Sequence, residues 1–213
     1  MLIKDIMTRK VITVSSDTYV LDAERIMEQH RIGRLPVVDG NKLVGLVTKN
    51  DIMKASPSST TPYNQRQLFY LMSKLTIKDI MKTNVVTVPQ ETTIEKSVAV
   101  AQKNKVGCLA VMAGDKLVGI MTTNDVFYKV LNPLLGIGAT GKRIIVYDAG
   151  PRAESDRVMQ VVSELGLKVK TVWIPADQER QDLILHLDTD DANPIMSELR
   201  EIGYRVELRE FTA

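Results

Sequence analysis

The first fifty residues of the chain recur further along it at a constant offset and without a gap. The run Ile3-Lys4-Asp5-Ile6-Met7 returns at 77–81, and Asp51 returns as Asp125, so both matches lie 74 positions apart (77 minus 3, 125 minus 51). Roughly two positions in five are identical between 3–52 and 77–126, which is the signature of an internal repeat. The repeat predicts two copies of one fold unit, with two related clefts between them.

Both copies have the same predicted order of elements: a short strand, a helix, a two-stranded hairpin and a second helix. In the first copy these are strand 11–14, helix 18–30, hairpin strands 35–38 and 43–47, and a helix from about 50. In the second copy they are strand 85–88, helix 93–103, hairpin strands 109–112 and 117–121, and a helix from 124. A linker rich in Ser, Thr and Pro and an apolar-periodic helix at 65–73 separate the copies.

The last seventy residues follow a different pattern. They predict strand 143–147, helix 154–165, strand 169–174, strand 182–187, helix 193–202 and strand 205–208. This βαββαβ order is typical of a two-layer α+β sandwich. We therefore expect five parts: repeat one at 1–55, a linker with a helix at 56–76, repeat two at 77–131, a glycine-rich hinge at 132–142, and a C-terminal domain at 143–213.

Composition narrows the class of protein. A net charge of +2 with 25% charged residues is too mild for a nucleic-acid-binding surface. Cys108 is the single cysteine, which excludes an intramolecular disulfide and a cysteine-based zinc site, and fits a reducing compartment. The N-terminus lacks a signal-peptide pattern, and no apolar run is long enough to span a membrane. We expect a cytoplasmic protein without metal, membrane or nucleic-acid partners.

The strongest chemical signal is the motif Gly-h-h-Thr-x-x-Asp, where h is apolar. It places Thr48 and Asp51 in the first copy, and Thr122 and Asp125 in the second, where a strand ends and a helix begins. Backbone N–H groups at a helix start attract a phosphate, the threonine hydroxyl can donate to it, and the aspartate can accept ribose hydroxyls. Helix capping is the alternative explanation. A single copy would favour capping, whereas two copies in register favour a ligand.

Four motifs together, Ile-Lys-Asp-Ile-Met, Val-x-Thr-Val, Gly-Arg-Leu-Pro-Val-Val-Asp and Gly-Leu-Val-Thr-Lys-Asn-Asp, make residues 1–131 resemble a tandem pair of CBS domains. The C-terminal part resembles a ferredoxin-like, ACT-type domain, although its turn at 148–150 departs from the usual glycine order. The combination resembles the acetoin-utilisation AcuB-like proteins. The resemblance implies an adenosine ligand in the clefts, AMP, ADP or ATP, with S-adenosylmethionine as another candidate. It implies that the aspartates hold the ribose, the motif threonines meet phosphate, and the early strands line the base pocket through Thr13, Val14, Thr87 and Val88.

The two clefts are not equivalent in sequence. Arg34 in the first copy corresponds to Cys108 in the second, and Lys49 corresponds to Thr123. A guanidinium donates bidentately to phosphate, whereas a thiol offers almost nothing. We therefore expect Arg34 to face a phosphate and the cleft of Asp51 and Thr48 to bind more tightly than that of Asp125. An ordinary surface arginine is the alternative.

The sequence contains no nucleophile–base pair and no metal-ligand spacing, so a non-catalytic regulatory protein that senses adenine nucleotides is the favoured function. The alternative is a structural interaction module with degenerate clefts. We also expect a homodimer, because Val20, Met27, Val98 and Ala101 predict apolar helix faces and the C-terminal sheet has open edges. The regulated partner cannot be identified from the sequence.

Overall fold

The computed structural model describes residues 1–55, 70, 73–175 and 181–209. The predicted linker helix at 65–73 lies outside the described residues except for Tyr70 and Ser73. The chain divides into two compact units, Met1–Val126 and Phe127–Ala213. The first unit contains both sequence repeats.

Repeat one contains three helices and one hairpin. The elements are α1 (Ile3–Ile6), α2 (Val20–Gln29), β1 (Arg34–Asp39), β2 (Lys42–Thr48) and α3 (Lys49–Ala55). Strands β1 and β2 are antiparallel, and Gly40 closes their turn with φ +61°, a left-handed conformation that glycine adopts at little cost. The strand predicted at 11–14 is reduced to a single parallel bridge between Val14 and Val37.

Repeat two has the same order with a longer sheet. Its elements are α4 (Ile77–Ile80), β3 (Thr87–Pro89), α5 (Ile94–Lys103), β4 (Cys108–Ala113), β5 (Lys116–Thr122) and α6 (Thr123–Val126). Strand β3 runs parallel to β4, and β4 is antiparallel to β5, so the sheet order is β3-β4-β5. The hairpin and helix predictions are confirmed in both repeats, with boundaries shifted by one or two residues.

The N-terminal segment of each repeat packs on the hairpin of the other. Thr8 and Ile120 exchange backbone hydrogen bonds of 2.9 and 3.0 Å, and Lys82 and Leu46 exchange two of 2.9 Å. The apolar core of repeat one likewise includes Ile77, which lies at the start of the second copy. The repeats therefore form one folded unit rather than two independent domains.

The second unit has the βαββαβ order that the sequence predicts. After a π-helical turn (Phe127–Leu131) and α7 (Asn132–Leu135) come β6 (Lys142–Val146), α8 (Arg152–Glu164), β7 (Val169–Trp173), β8 (Leu183–Leu187), α9 (Asn193–Glu201) and β9 (Val206–Leu208). The four strands form an antiparallel sheet in the order β7-β8-β6-β9. Both helices contribute to its apolar core, through residues such as Val158, Val162, Ile195 and Leu199.

The glycine-rich segment before this sheet, predicted as a hinge, is packed against β8. A β-carbon on Gly136 would overlap Nδ1 of His186, and one on Gly141 would overlap the carbonyl oxygen of Leu187. His186 is 1% exposed, and its Nε2 lies 2.9 Å from the carbonyl oxygen of Thr140. Glycine is required at these positions because no side chain fits there.

The helix faces on which the dimer prediction relied differ between the copies. Val20 is completely buried and Met27 is 2% exposed, because both pack into the core of repeat one. Only Val98 and Ala101 are half-exposed. The prediction of an apolar exposed face is therefore wrong for α2. Every helix among the described residues is too short or too polar to cross a membrane.

Candidate ligand clefts at Asp51 and Asp125

Thr48 and Asp51 form a capping box at the start of α3. The Asp51 carboxylate oxygen Oδ2 accepts hydrogen bonds from the backbone N–H of Thr48 (2.9 Å) and from its hydroxyl (2.5 Å). The N–H of Asp51 donates back to Oγ1 of Thr48 at 3.3 Å. This reciprocal arrangement satisfies donors that the helix itself leaves unpaired.

Thr122 and Asp125 repeat the same geometry at α6. The Asp125 carboxylate accepts from the N–H of Thr122 at 2.8 Å and from its hydroxyl at 2.7 Å. The capping role that sequence analysis considered as an alternative is thus present in both copies. It directs one carboxylate oxygen, Oδ2, inward to the cap in each copy.

The other oxygen of each aspartate faces a residue from the opposite repeat. Oδ1 of Asp125 lies 3.4 Å from the hydroxyl of Thr8, and Oδ1 of Asp51 lies 3.1 Å from the ammonium nitrogen of Lys82. Thr8 and Lys82 are equivalent positions of the repeat, 74 residues apart. The clefts therefore differ in a residue that the sequence prediction did not single out.

Burial raises the pKa of Asp51, but the hydrogen bond from the Thr48 hydroxyl and the contact with Lys82 act in the opposite direction, and the net pKa is lowered. Asp51 is thus ionised at neutral pH, with only 10% of its side chain exposed. A buried carboxylate of this kind needs such partners to remain charged.

A cavity of about 280 Å³ opens beside Asp125. This volume is near the lower end of the roughly 300–1,000 Å³ typical of ligand pockets. Both repeats line it: Thr8, Lys10, Val11, Ile12, Arg31, Ile32, Gly33, Arg34, Pro36, Ile120, Thr122, Thr123, Asn124 and Asp125. Asp125, which is 8% exposed, therefore lines this cavity together with both apolar and basic side chains.

The structure places Arg34 among the residues that line the cavity of Asp125. Its Nη1 donates to the carbonyl oxygen of Gly107 at 2.6 Å, across the junction between the repeats. The sequence argument grouped Arg34 with Asp51 of its own copy, whereas the Asp125 cavity combines residues of both copies. That the Asp51 cleft binds more tightly stays a prediction. Lys10 and Arg31 bring two further cations into the same cavity, and sequence analysis missed both.

The residues predicted to line the base pocket are placed differently. Thr13 is exposed and Val14 is buried in the core of repeat one, and neither lines the Asp125 cavity. Val11 and Ile12, immediately before them, supply its apolar wall instead. In repeat two, Thr87 is exposed and Val88 is 4% exposed and pairs with Val111.

The cavity can bind an anion with an attached apolar ring. Three basic side chains supply charge-assisted donors, the carboxyl group of Asp125 supplies acceptors for hydroxyl groups, and Val11, Ile12 and Ile32 supply apolar surface. No group of three His, Cys, Asp or Glu side chains able to hold a metal ion occurs in the part of the chain that the structure describes. The chemistry available here is recognition of a polar, negatively charged organic molecule.

Comparison with known proteins agrees with this repeat architecture. The family model described as CBS domain matches residues 3–58 and again 77–132, together more than half of the chain. The chain belongs to the CBS-domain family. The second match begins 74 residues after the first, as the sequence repeat requires.

Curated relatives match over the CBS region. The inosine-5'-monophosphate dehydrogenase of Korarchaeum cryptofilum is 36% identical over 126 residues, which is 59% of this chain and 23% of that protein. That of Thermoplasma acidophilum is 27% identical over 73% of this chain and 29% of the relative. The chain thus spans about a quarter of the length of these enzymes.

Solved structures match over a similar share. One described as an acetoin utilization protein (AcuB) from Vibrio cholerae is 33% identical, with a TM-score of 0.54 over 64% of this chain and 94% of that one. The CBS domain pair of protein MJ0100, solved with 5'-methylthioadenosine and S-adenosyl-L-methionine, is 30% identical, with a TM-score of 0.50 over 60% of this chain and 93% of that one. That pair binds adenosyl compounds.

Proposed function

We propose that this protein is a non-catalytic regulator that senses an adenine nucleotide in a CBS cleft. The observation that carries the proposal is the cavity beside Asp125, where a buried carboxylate, apolar side chains and three basic side chains converge. A ribose, a purine and a phosphate need those three kinds of surface. The adenosyl ligands of the MJ0100 pair support the adenosine part.

The phosphate part follows from the charges of this chain. Lys10, Arg31 and Arg34 favour AMP, ADP or ATP over S-adenosylmethionine, whose sulfonium is positively charged. The Thr122 hydroxyl donates to Asp125 in the structure, so it would have to turn to meet a phosphate. Arg34 is the better placed donor, since its guanidinium already reaches across to Gly107.

Regulation would follow from the position of the cleft. Its walls come from both repeats, so a ligand that binds one packing of the repeats better than another shifts the balance between the two packings.

We propose that the βαββαβ unit is an ACT-type domain that assembles the protein or transmits this shift. The proposal keeps the five parts predicted from the sequence: two repeats, a linker, a hinge and this C-terminal domain. The link to acetoin metabolism rests on the AcuB relative alone, the regulated partner is unidentified, and the cytoplasmic location stays a prediction.

The alternative of an interaction module also has support. A cavity of about 360 Å³ beside α5 is lined largely by apolar side chains, including Val98, Ala101, Met121 and Val126. Its equivalent in repeat one contains Glu24, Glu28, Arg31 and Lys49 instead. An apolar face on one repeat suits self-association, and a homodimer is the commonest outcome. Light scattering at tens of micromolar protein tests whether the chain forms a homodimer. A monomeric mass would exclude self-association through this apolar face.

Calorimetric titration and thermal melts with AMP, ADP, ATP and S-adenosylmethionine test the sensing proposal. A ligand present at about 100 times its dissociation constant should stabilise the native state by about 2.7 kcal/mol. The same samples are assayed for phosphate release, and we expect none above background. The absence of a shift with all four ligands at millimolar concentration would exclude nucleotide sensing and leave the interaction module.

A further inference from the structure

The glycine-rich residues 136–141, termed the strap, lie against the sheet of the second unit and are held there by polar contacts. Two basic side chains of the sheet donate to main-chain carbonyl groups of the strap. Arg143 on β6 donates through Nη2 to the carbonyl oxygen of Gly136. Lys170 on β7 donates through Nζ to the carbonyl oxygen of Thr140 at 2.7 Å. The attachment of the strap therefore depends on a few hydrogen bonds from cationic side chains.

The strap lies outside the apolar core of this unit. Leu185 and Leu187 of β8 belong to that core, and successive residues of a strand point to opposite faces, so His186 between them points to the other face. Among the described residues of the core cluster, none comes from 132–141. Detaching the strap would therefore leave the core intact, and a local opening of this kind requires less free energy than global unfolding.

One ring nitrogen of His186 is buried beneath the strap without a hydrogen-bond partner. Nε2 lies 2.9 Å from the carbonyl oxygen of Thr140, which can only accept, so Nε2 carries the proton in the neutral ring. Nδ1 has no partner among the described residues. A β-carbon on Gly136 would lie 2.2 Å from Nδ1, so the strap covers this nitrogen. A proton added to Nδ1 would therefore create a buried N–H group without an acceptor.

The charged groups around His186 also oppose its protonation. Arg143 on β6 and Lys170 on β7 are cations, and the one nearby anion, Asp188, is already paired with Lys170 at 2.8 Å. The strap and α7 contain no titratable side chain. Burial lowers the pKa of His186 most and the two cations lower it further, so the net pKa lies below its usual value although Asp188 and the carbonyl at Nε2 act in the opposite direction.

We propose that His186 and the strap form a pH-sensitive latch, in which protonation of Nδ1 releases residues 136–141 from the sheet. Once the strap is detached, water solvates the imidazolium and accepts from Nδ1, so the open form binds the proton more tightly than the closed form. The population of the open form should rise up to about tenfold for each pH unit below about 6.5, until the pKa of the closed form is reached. The strap belongs to the chain between repeat two and β6, so its release lengthens the part of that connection that is not held to the sheet.

Amide hydrogen exchange followed by NMR tests the latch on the full chain. The amides of Gly136, Ile137 and Ala139 donate to carbonyl groups of residues 132–136, and the four-residue α7 is too short to keep these bonds without packing. After correction for the intrinsic pH dependence of exchange, their protection should fall at least fivefold from pH 7 to pH 5. Low concentrations of urea should affect them less than the amides of β8, because opening of the strap exposes little surface.

Two matched pairs of variants assign the effect. His186→Gln keeps a donor for Thr140 but does not titrate, so strap protection should no longer depend on pH. His30→Gln is its control, since His30 is the other of the two histidines and is exposed, and it should keep the wild-type dependence. Gly136→Ala should detach the strap at both pH values, because its β-carbon overlaps Nδ1. Gly138→Ala should not, since Gly138 also has a positive φ but nothing lies within 4 Å of a β-carbon there.

Several outcomes would overturn the latch. Strap protection that is equal at pH 7 and pH 5, or a pH dependence that persists in His186→Gln, would exclude a role for this histidine. Strap amides that match those of β8 in protection and in urea response would show that only global unfolding exposes them. NMR titration of the His186 ring gives a test that does not need His186→Gln to fold: its pKa should rise towards about 6.5 in Gly136→Ala, and an unchanged pKa would contradict the proposal.

Discussion

The thioether of Met7 lies on Gly119, in the space that a β-carbon there would occupy. Met81 lies on Gly45 in the same way, again 74 residues from its counterpart. Each contact joins the N-terminal segment of one repeat to the hairpin of the other. The two glycines of the sequence motif are therefore needed for packing between the repeats, because a larger residue would push the opposite segment away.

Replacing Gly119 with alanine should destabilise the first unit by about 1–3 kcal/mol, the usual cost of overpacking a filled site. Denaturant unfolding measures the free energy of unfolding. Gly33→Ala is the matched control, because nothing lies within 4 Å of a β-carbon at Gly33, and it should change the free energy by about 0.5 kcal/mol or less. Met7→Ala combined with Gly119→Ala should cost less than the sum of the single changes. Additive costs would contradict the contact.

Arg34→Cys, which copies the residue of the second repeat, should weaken ATP binding more than tenfold. A hydrogen bond to a charged group contributes about 1.5–3 kcal/mol, and the guanidinium supplies it. Binding of adenosine, which lacks phosphate, should change little. Arg34→Lys should retain part of the ATP affinity, since it keeps the charge but loses the bidentate geometry. Equal losses for ATP and adenosine would show that Arg34 acts on the fold rather than on the phosphate.

The pKa of Asp51 should rise when Lys82 is replaced by threonine, because the ammonium helps to hold it below its usual value. Carboxyl-carbon NMR titration measures it, with Lys78→Thr as the control that leaves it unchanged. Since the folded pKa is lower than the unfolded value of about 3.9, the stability that Asp51 contributes is complete above that pH. It is lost as the pH falls through the folded pKa. An unshifted Asp51 in Lys82→Thr would mean that the ion pair does not persist in solution.

The second unit should lose stability below about pH 6.5, the unperturbed pKa of histidine. Burial lowers the pKa of His186, Arg143 and Lys170 lower it further, and the Thr140 carbonyl only partly opposes them. The unfolded state thus binds a proton at a pH where the folded state does not, which favours unfolding as the pH falls towards the folded pKa. Urea unfolding followed by the fluorescence of Trp173, the single tryptophan, measures this.

A substitution distinguishes the contribution of His186 to the pH dependence of stability from the contribution of the acidic groups. His186→Phe should cost about 1–3 kcal/mol, since it loses the hydrogen bond to Thr140, yet it should flatten the pH dependence between pH 5 and 7. His30→Gln is the control, because His30 is exposed at the end of α2 and should leave the dependence intact. A pH dependence that survives in His186→Phe would assign it to other groups.

The sequence alone determined the repeat, the hairpins and helices of both copies and the βαββαβ order, and it offered the capping of α3 and α6 as the alternative to a ligand. These features depend on residues close together in the chain. Thr48 and Asp51 are three residues apart, and their hydrogen bonds form wherever that helix begins. The repeat needed only the comparison of residues 74 positions apart. Local patterns report such short-range interactions directly.

Only the tertiary structure decided which residues share a cleft. Arg34 lies with Asp125, and Lys82 with Asp51, because the N-terminal segment of each repeat pairs with the hairpin of the other. That exchange depends on the burial of residues such as Ile77 in the opposite core, which a local pattern does not encode. One signal was present in the sequence: the identical runs at 3–7 and 77–81 are followed by different residues, Thr8 and Lys82. Only the fold shows that both side chains reach an aspartate.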